Sequence, residues 1–343
     1  MGAHVFITDT KTFPTVRDYG FWGVGAPKIP DNYHSLVQQN LANGKLPYFA
    51  MVADLLATRI GDLVFLYERG RGFHGVYRIA SEPFFDATPV GSVSSQWPLR
   101  VLIECVHYFP DPVPEAYLFS TPEYETRCWS WFYRKIQGPR GSSPLNPEAA
   151  QTLCELLVKV NGNAINLRVQ RSIYQPKQST PIKLPLPIDG KVALEDILRG
   201  WFVQNIDDPH NKDMRDLFGP SGDIEWFANN VPHHVSGRHI DLLCYHANQT
   251  YTRYPLRYRF TVVELKRDEA SPDDIGQIIE YSKWVAGRLA CGEVDMVVPV
   301  IVAHSFQKDA IVKAKHAEFN SRGIKLIKYD VRNQSVLLKE VQK

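Results

Sequence analysis

The sequence contains no Cys-x-x-Cys pair, and its five cysteines, Cys105, Cys128, Cys154, Cys244 and Cys291, are scattered and odd in number. That pattern excludes a disulfide framework and a cysteine-held structural zinc site, so the thiols are expected to be reduced. No apolar run reaches the length of a membrane span and no signal peptide opens the chain, so a cytoplasmic protein without membrane contact is expected. Excess charge is also missing: 39 Lys and Arg face 37 Asp and Glu, a net charge of +2. Contact with a polyanion must therefore come from local patches. No internal repeat is evident.

What is present is enough for two cores. The chain has 343 residues, 44% of them hydrophobic, a size that ordinarily splits into two domains. Composition shifts between positions 161 and 190, where Pro176, Pro181, Pro185 and Pro187 alternate with Lys, Gln and Thr. Such a stretch is a stiff linker or a strap lying on a domain. The expected division is 1–160, a Pro-rich linker at 161–190, and 191–343.

In the last segment, Phe260-Thr-Val-Val-Glu-Leu-Lys-Arg267 is an apolar β-type run with two charges, Glu264 and Lys266, two positions apart. Side chains on a strand alternate faces, so both project to one side. Upstream, Gly237-Arg-His-Ile-Asp-Leu-Leu243 is another short apolar strand carrying a single acid, Asp241. Mg²⁺ and Mn²⁺ prefer carboxylate oxygens, which makes Asp241 and Glu264 candidate metal ligands. Lys266 beside them can orient a water or counter charge developing at phosphorus. A lone Glu-x-Lys reads more readily as an exposed ion pair, and the segment that follows decides against that. Ser271 is an N-cap, Pro272 stands at N1, and Asp273 and Asp274 lie in the first turn, so a helix starts there. On it Gln277 and Tyr281, four apart, share a face.

These three motifs, in this order, resemble the PD-(D/E)xK nuclease superfamily and, within it, the NucS or EndoMS mismatch endonucleases. There Gly-Arg-Ile-Asp-Leu-Leu, Val-Val-Glu-Leu-Lys-Arg and a helix with Gln-x-x-x-Tyr follow one another. Here His239 is one residue extra, and the long gap to Glu264 implies a hairpin insertion around positions 248–257. The resemblance implies hydrolysis of DNA phosphodiester bonds with Mg²⁺ or Mn²⁺ as cofactor, and catalytic roles for Asp241, Glu264, Lys266, Gln277 and Tyr281. It also implies a further acid from the first helix of the domain, where Glu195 stands in Ala193-Leu-Glu-Asp-Ile-Leu-Arg-Gly-Trp-Phe-Val-Gln204. Glu225 is the competing acid because it lies closer in sequence to Asp241. His233, His234, His239 and His246 crowd the same region without a metal-binding spacing and are expected on loops or at the rim. Beyond the Gln277 helix, a strand at 295–303, a helix at 307–320 and a strand at 324–329 imply a crossover onto a mixed sheet.

In the first segment, Gly61-Asp-Leu-Val-Phe-Leu-Tyr67 followed by Gly75-Val-Tyr-Arg-Ile-Ala80 reads as a hairpin. The pattern resembles EVE and related PUA-like barrels over roughly positions 4–160. That resemblance implies a domain that holds a flipped, modified base against aromatic rings, which restore the stacking the base has lost. Candidate rings are Tyr19, Phe21, Trp22, Trp97 and Trp129. Trp22 leads because Tyr19-Gly-Phe-Trp-Gly23 is expected to expose rings between glycines. Arg134, Lys135 and Arg140, around Gly138 and Gly141, form the best basic phosphate-contacting loop. Core rings and a solvated loop are the plain alternatives.

The expected fold is thus an EVE-type PUA-like β-barrel joined to an α/β restriction-endonuclease-like domain with a mixed sheet. The expected function is metal-dependent cleavage of duplex DNA carrying a modified base. Mismatch or repair cleavage is the alternative within enzymes, and a nucleic-acid-binding protein with an inactive nuclease domain is the alternative outside them. Double-strand cutting needs two active sites, so a homodimer belongs to the expectation.

Overall fold

The computed structural model describes residues 2–341 apart from 26–29, 31, 43–47, 92–96, 136–140, 163–173, 178, 220–222 and 248–257. The hairpin insertion expected at 248–257 falls outside the described residues. The chain divides into two units, Met1–Lys183 and Leu184–Lys343. Among the described residues no helix is long and apolar enough to cross a membrane.

The first unit is built on strands β1 (Ala3–Thr8), β2 (Phe21–Val24), β3 (Leu63–Glu68), β4 (Gly72–Ile79), β5 (Phe84–Phe85), β6 (Leu99–His107), β7 (Ser142–Leu145) and β8 (Thr180–Pro181). They run in the order β7-β1-β3-β4-β6-β5-β8, with β2 also on β6. β1 and β3 are parallel and the other pairs antiparallel. The far half of β6 pairs with β4 while its near half pairs with β2 and β5, so one strand joins two sheet segments into a half-barrel. Where the resemblance implied a closed barrel, β7 and β8 remain edges among the described residues. Each is short and carries a proline, Pro144 or Pro181, which cannot donate to a further strand.

Helices α1 (Phe13–Tyr19), α2 (Tyr33–Ala42), α3 (Tyr48–Leu56), α4 (Pro122–Arg127), α5 (Trp129–Lys135) and α6 (Pro147–Asn161) complete this unit. Strand alternation sends Val5, Phe65 and Phe73 to one face, where Trp131 of α5 and Leu153, Leu156 and Leu157 of α6 close the core. Buried charge is paired: His4 with Asp62 at 3.1 Å and His74 with Glu68 at 2.9 Å.

The second unit has strands β9 (Asp189–Gly190), β10 (Ile224–His233), β11 (Arg238–Ala247), β12 (Tyr258–Ala270), β13 (Val297–Phe306), β14 (Lys325–Arg332) and β15 (Ser335–Glu340). The order is β10-β11-β12-β13-β14-β15, with β9 on β14. β12, β13 and β14 are parallel and the flanking pairs antiparallel, which makes the sheet mixed. The apolar centre of β12, Phe260 to Leu265, and the Val and Ile run of β13 fit central strands covered on both faces. Pro299 is tolerated in β13 because β14 begins to pair only at Val300. Around the sheet lie α7 (Glu195–Asn205), α8 (Lys212–Phe218), α9 (Pro272–Leu289) and α10 (Lys308–Lys315). α9 connects β12 to its parallel neighbour β13, and α10 connects β13 to β14.

Inside this sheet His246 is buried and shares a 2.9 Å hydrogen bond with Thr261 Oγ1. Burial first, and the Arg259 charge second, push its pKa down to about 3. A histidine kept neutral by the fold contributes stability above its ordinary value of 6.5, and that contribution is lost as pH falls toward 3. In urea titrations of the full chain, the stability gap between wild type and His246→Gln is therefore expected to be widest above pH 6.5 and to shrink steadily below it. A gap that grows on acidification would contradict this burial.

Candidate functional site

The antiparallel ladder of β11 and β12 runs as far as Leu242 opposite Val263 and ends there. One step further, Asp241 turns its Oδ2 to the freed backbone amide of Leu265, which donates to it at 2.7 Å. β12 keeps its ladder to β13 through Glu264 and Lys266, so those two side chains stay on one face. The acids thus stand where two strands part and backbone groups become free.

Lys266 Nζ donates to Glu264 Oε1 at 2.8 Å and lies 3.1 Å from Asp274 Oδ1. Asp274 has a second task at the start of α9, where its Oδ2 accepts from the Ser271 amide at 2.7 Å and the Ser271 hydroxyl at 2.8 Å. One carboxylate therefore ties the helix start to the lysine. One turn on, Gln277 Nε2 donates to Glu264 Oε1 at 2.7 Å and to the Tyr281 hydroxyl at 2.8 Å. Its Oε1 accepts from Arg238 Nη1 at 3.3 Å. From the other side α7 brings Glu195 and, one turn later, Arg199. Arg199 Nη2 donates to Asp241 Oδ1 at 2.5 Å and lies 3.6 Å from Glu195 Oε1, while Nη1 pairs with Asp196.

Electrostatics follow from this crowding. Glu264 is 3% exposed, and its Oε2 has no partner. Burial, then the neighbouring Asp241 charge, push its pKa up to about 8, with Lys266 pulling the other way. Burial and Asp241 likewise raise Glu195 to about 7. Its side chain keeps 37% exposure, so solvent screens part of that effect. For Lys266 burial favours the neutral amine, but Glu264 and Asp274 outweigh it and hold the ammonium above its usual range. The Tyr281 hydroxyl is raised to about 12 by burial and by Glu264.

Of the residues singled out in the sequence, the structure brings Asp241, Glu264, Lys266, Gln277, Tyr281 and Glu195 together. It separates Glu225, which is exposed beside Trp226, whose strand partner Tyr245 lies four positions along β11 from Asp241. His246 and His233 are buried rather than at the rim, because the β10 and β11 strands run through both positions. The His233 ring lies 5.1 Å from Tyr281 and 5.6 Å from Trp284. Arg199 and Asp274 were not anticipated as members of the site. Their signals were an arginine four residues after Glu195 and the Ser-x-x-Asp capping pattern.

The donor set fits a hard divalent cation in kind: three carboxylates within electrostatic reach, one with an orphaned buried oxygen. Among the described residues no three His, Cys, Asp or Glu side chains stand close enough to enclose a metal. A magnesium site needs only one or two carboxylates, with water and phosphate filling the rest. The Arg199 guanidinium lies between two of these acids, 2.5 Å from Asp241 and 3.6 Å from Glu195.

In the first unit the aromatic expectation meets a correction. Trp22 is 1% exposed, stacks on Phe6 at 4.2 Å, and donates its Nε1–H to the Ile7 carbonyl at 3.3 Å. Gly141 lies so near that a Cβ there would meet the indole at 2.6 Å. The ring between glycines is inside because β2 pairs with β6, Trp22 opposite Val101. Phe21 is buried with Phe84, Val90 and Tyr174, and half-buried Tyr19 and Trp97 pack on that cluster. The Arg100 guanidinium stacks on Phe21 and Tyr174 and donates to the Trp97 and Thr88 carbonyls at 2.6 Å each and to Tyr174 Oη at 2.7 Å. This is a satisfied buried cation among rings, filled by the protein itself. Trp129 opens α5 and is half-buried, and the same helix ends with Arg134 and Lys135; Arg140 lies outside the described residues.

No family model and no curated protein sequence matches the chain. Among solved structures it is similar to the human THYN1 protein in complex with 5-methylcytosine containing DNA, with 13% identity over 46% of this chain and 98% of that one, at a TM-score of 0.29. The YTH domain of Zygosaccharomyces rouxii MRB1 in complex with N6-methyladenosine RNA matches with 10% identity over 45% of this chain and 86% of that one, at 0.27. A protein from Agrobacterium tumefaciens matches with 16% identity over 50% of this chain and 98% of that one, at 0.29.

Because Trp22 is core, Trp22→Ala is expected to lower unfolding free energy by about 3–5 kcal/mol. Denaturant unfolding monitored by far-ultraviolet circular dichroism measures this, and a loss under about 1 kcal/mol would return the ring to the surface.

Proposed function

We propose that this chain is a divalent-metal-dependent DNA endonuclease, with its chemistry in the second unit and its choice of substrate in the first. The observation that carries the reading is the convergence of Asp241, Glu264, Lys266 and Glu195 where the β11–β12 ladder opens, with Glu264 Oε2 left unpaired. A bound Mg²⁺ or Mn²⁺ would supply charge neutralisation at the phosphate and a more acidic water. Asp241, Glu264 and Glu195 are the residues to hold it.

The chain's own groups divide the remaining work. Asp241 is oriented by the Leu265 amide, and Glu264 by Lys266 and Gln277, so each carboxylate keeps one oxygen directed by backbone or side chain. Lys266, held above its usual pKa, keeps its proton and serves as a fixed positive charge toward phosphate rather than as a base. Glu264, raised to about 8 even with Lys266 beside it, is poorly disposed to ionise near neutrality until a divalent cation is bound. Modification-directed restriction is the preferred substrate reading, supported by the sequence resemblance of the first segment to EVE-type domains. The burial of Trp22 and Phe21 takes away the rings that argued for it most strongly, so mismatch cleavage stays beside it.

Digestion of unmodified, methylated, hydroxymethylated, glucosylated and mismatched duplexes with Mg²⁺ or Mn²⁺ separates these readings. Asp241→Ala, Glu264→Ala and Lys266→Ala are each expected to reduce cleavage by about 10²–10³-fold or more while leaving DNA affinity largely intact. Undiminished cutting by any one of them overturns the assignment.

Asp274 is expected to act as a positioning residue for Lys266. Asp274→Ala removes both of its tasks and should cost about 1 kcal/mol of stability together with a fall in kcat at unchanged KM. Asp274→Asn retains an acceptor for the Ser271 amide, so it should recover most of the stability but not kcat. Equal recovery of both would reduce Asp274 to a helix cap.

A further inference from the structure

Arg199 has no part in the chemistry assigned above, yet it occupies the middle of the acidic cluster. Its side chain is 9% exposed, and its stem is fixed on a helix whose Ile197, Leu198, Trp201 and Phe202 are buried. The guanidinium touches three carboxylates from two elements: Asp196 and Glu195 on α7, and Asp241 on β11. Burial alone would favour losing its proton, but Asp241 and Asp196 hold it charged. Its Nε is buried without a partner, so the cluster does not satisfy the whole guanidinium and holds it by charge.

We propose that Arg199 is the built-in counter-ion of the acidic site and competes with the divalent metal for Asp241 and Glu195. This rests on the reading of those acids as metal ligands. Without metal, Asp241, Glu195 and Asp196 would be close-set like charges with no cation, and the guanidinium makes that arrangement tolerable. A metal entering on the Asp241 Oδ1 side meets an oxygen already engaged at 2.5 Å by Nη2. Mg²⁺ binds its oxygens at about 2.0–2.1 Å in strict octahedral geometry, so the guanidinium must withdraw toward Asp196 for it to enter. Metal affinity is thereby kept low in the free protein, and a DNA phosphate that adds ligands of its own shifts the balance.

The test uses the full-length chain without DNA and reads binding of Mg²⁺ or Mn²⁺ alone by calorimetry, with melting temperature followed in chelator and in saturating metal. Arg199→Gln is expected to bind metal about tenfold more tightly than wild type. It should melt about 5–10 °C lower in chelator and recover most of that loss in metal. Arg199→Lys keeps one charge but cannot bridge three acids, so it should fold and tighten metal binding to an intermediate degree. Affinity unchanged or weakened in either variant overturns the proposal, since an arginine that merely positioned Asp241 would leave a looser site when removed. A melting loss that metal does not recover does the same. Asp241→Asn tests the underlying reading: if it binds metal as well as wild type does, the metal site itself is misplaced and the proposal falls with it. If Asp241→Asn loses binding and the Arg199 variants do not tighten it, only the competition is refuted.

Discussion

Two carboxylates buried at the end of one β-ladder, Asp241 and Glu264, set the terms for everything around them. Glu264 does not ionise readily there, because burial and the Asp241 charge beside it both favour the neutral acid. The fold answers with cations from different elements: Lys266 from the same strand as Glu264, and Arg199 from α7 beside Asp241. It answers also with fixed donors, the Leu265 amide and Gln277 Nε2. Each donor requires its element to be in place, so β12, α7 and α9 are bound to one another through the charge they share. Glu264 Oε2 is the point where that compensation stops.

The first unit meets the same constraint in another way. Its buried charges, Asp62, Glu68 and Arg100, are matched by partners of the protein itself: His4, His74, and Tyr174 with backbone carbonyls. Asp86 joins the Arg100 group through the Tyr174 hydroxyl and accepts the Thr88 amide at 2.8 Å. Paired sets of this kind specify packing. In the second unit's acidic group Glu264 Oε2 is left unpaired.

Much of the second unit was legible in the sequence because its signals are local. Side chains two apart on a strand share a face whatever the surroundings, so Glu264 and Lys266 could be paired from Phe260-Thr-Val-Val-Glu-Leu-Lys alone. Ser271-Pro-Asp-Asp274 announces a helix start through capping chemistry that needs no tertiary partner. What followed on that helix, Gln277 and Tyr281 on one face, is a matter of 3.6 residues per turn.

Long-range packing decided the rest. Whether Glu195 or Glu225 reaches Asp241 depends on how α7 lies on the sheet and on the register of β10, and neither is written in nearby residues. Arg199 has the same dependence, since its burial is compensated not only by Glu195 and Asp196 of its own helix but by Asp241 from β11. Trp22 shows the limit most directly. Glycines on either side suggested an open ring, but glycine equally permits backbone and side chains to close in, and pairing of β2 with β6 placed the indole against Phe6 and Gly141. The sequence by itself determined which residues alternate, which cap and which share a face, because covalent geometry repeats at fixed periods. Only the tertiary structure decided which charges meet and which rings are covered, because those outcomes depend on distances between segments far apart in the chain.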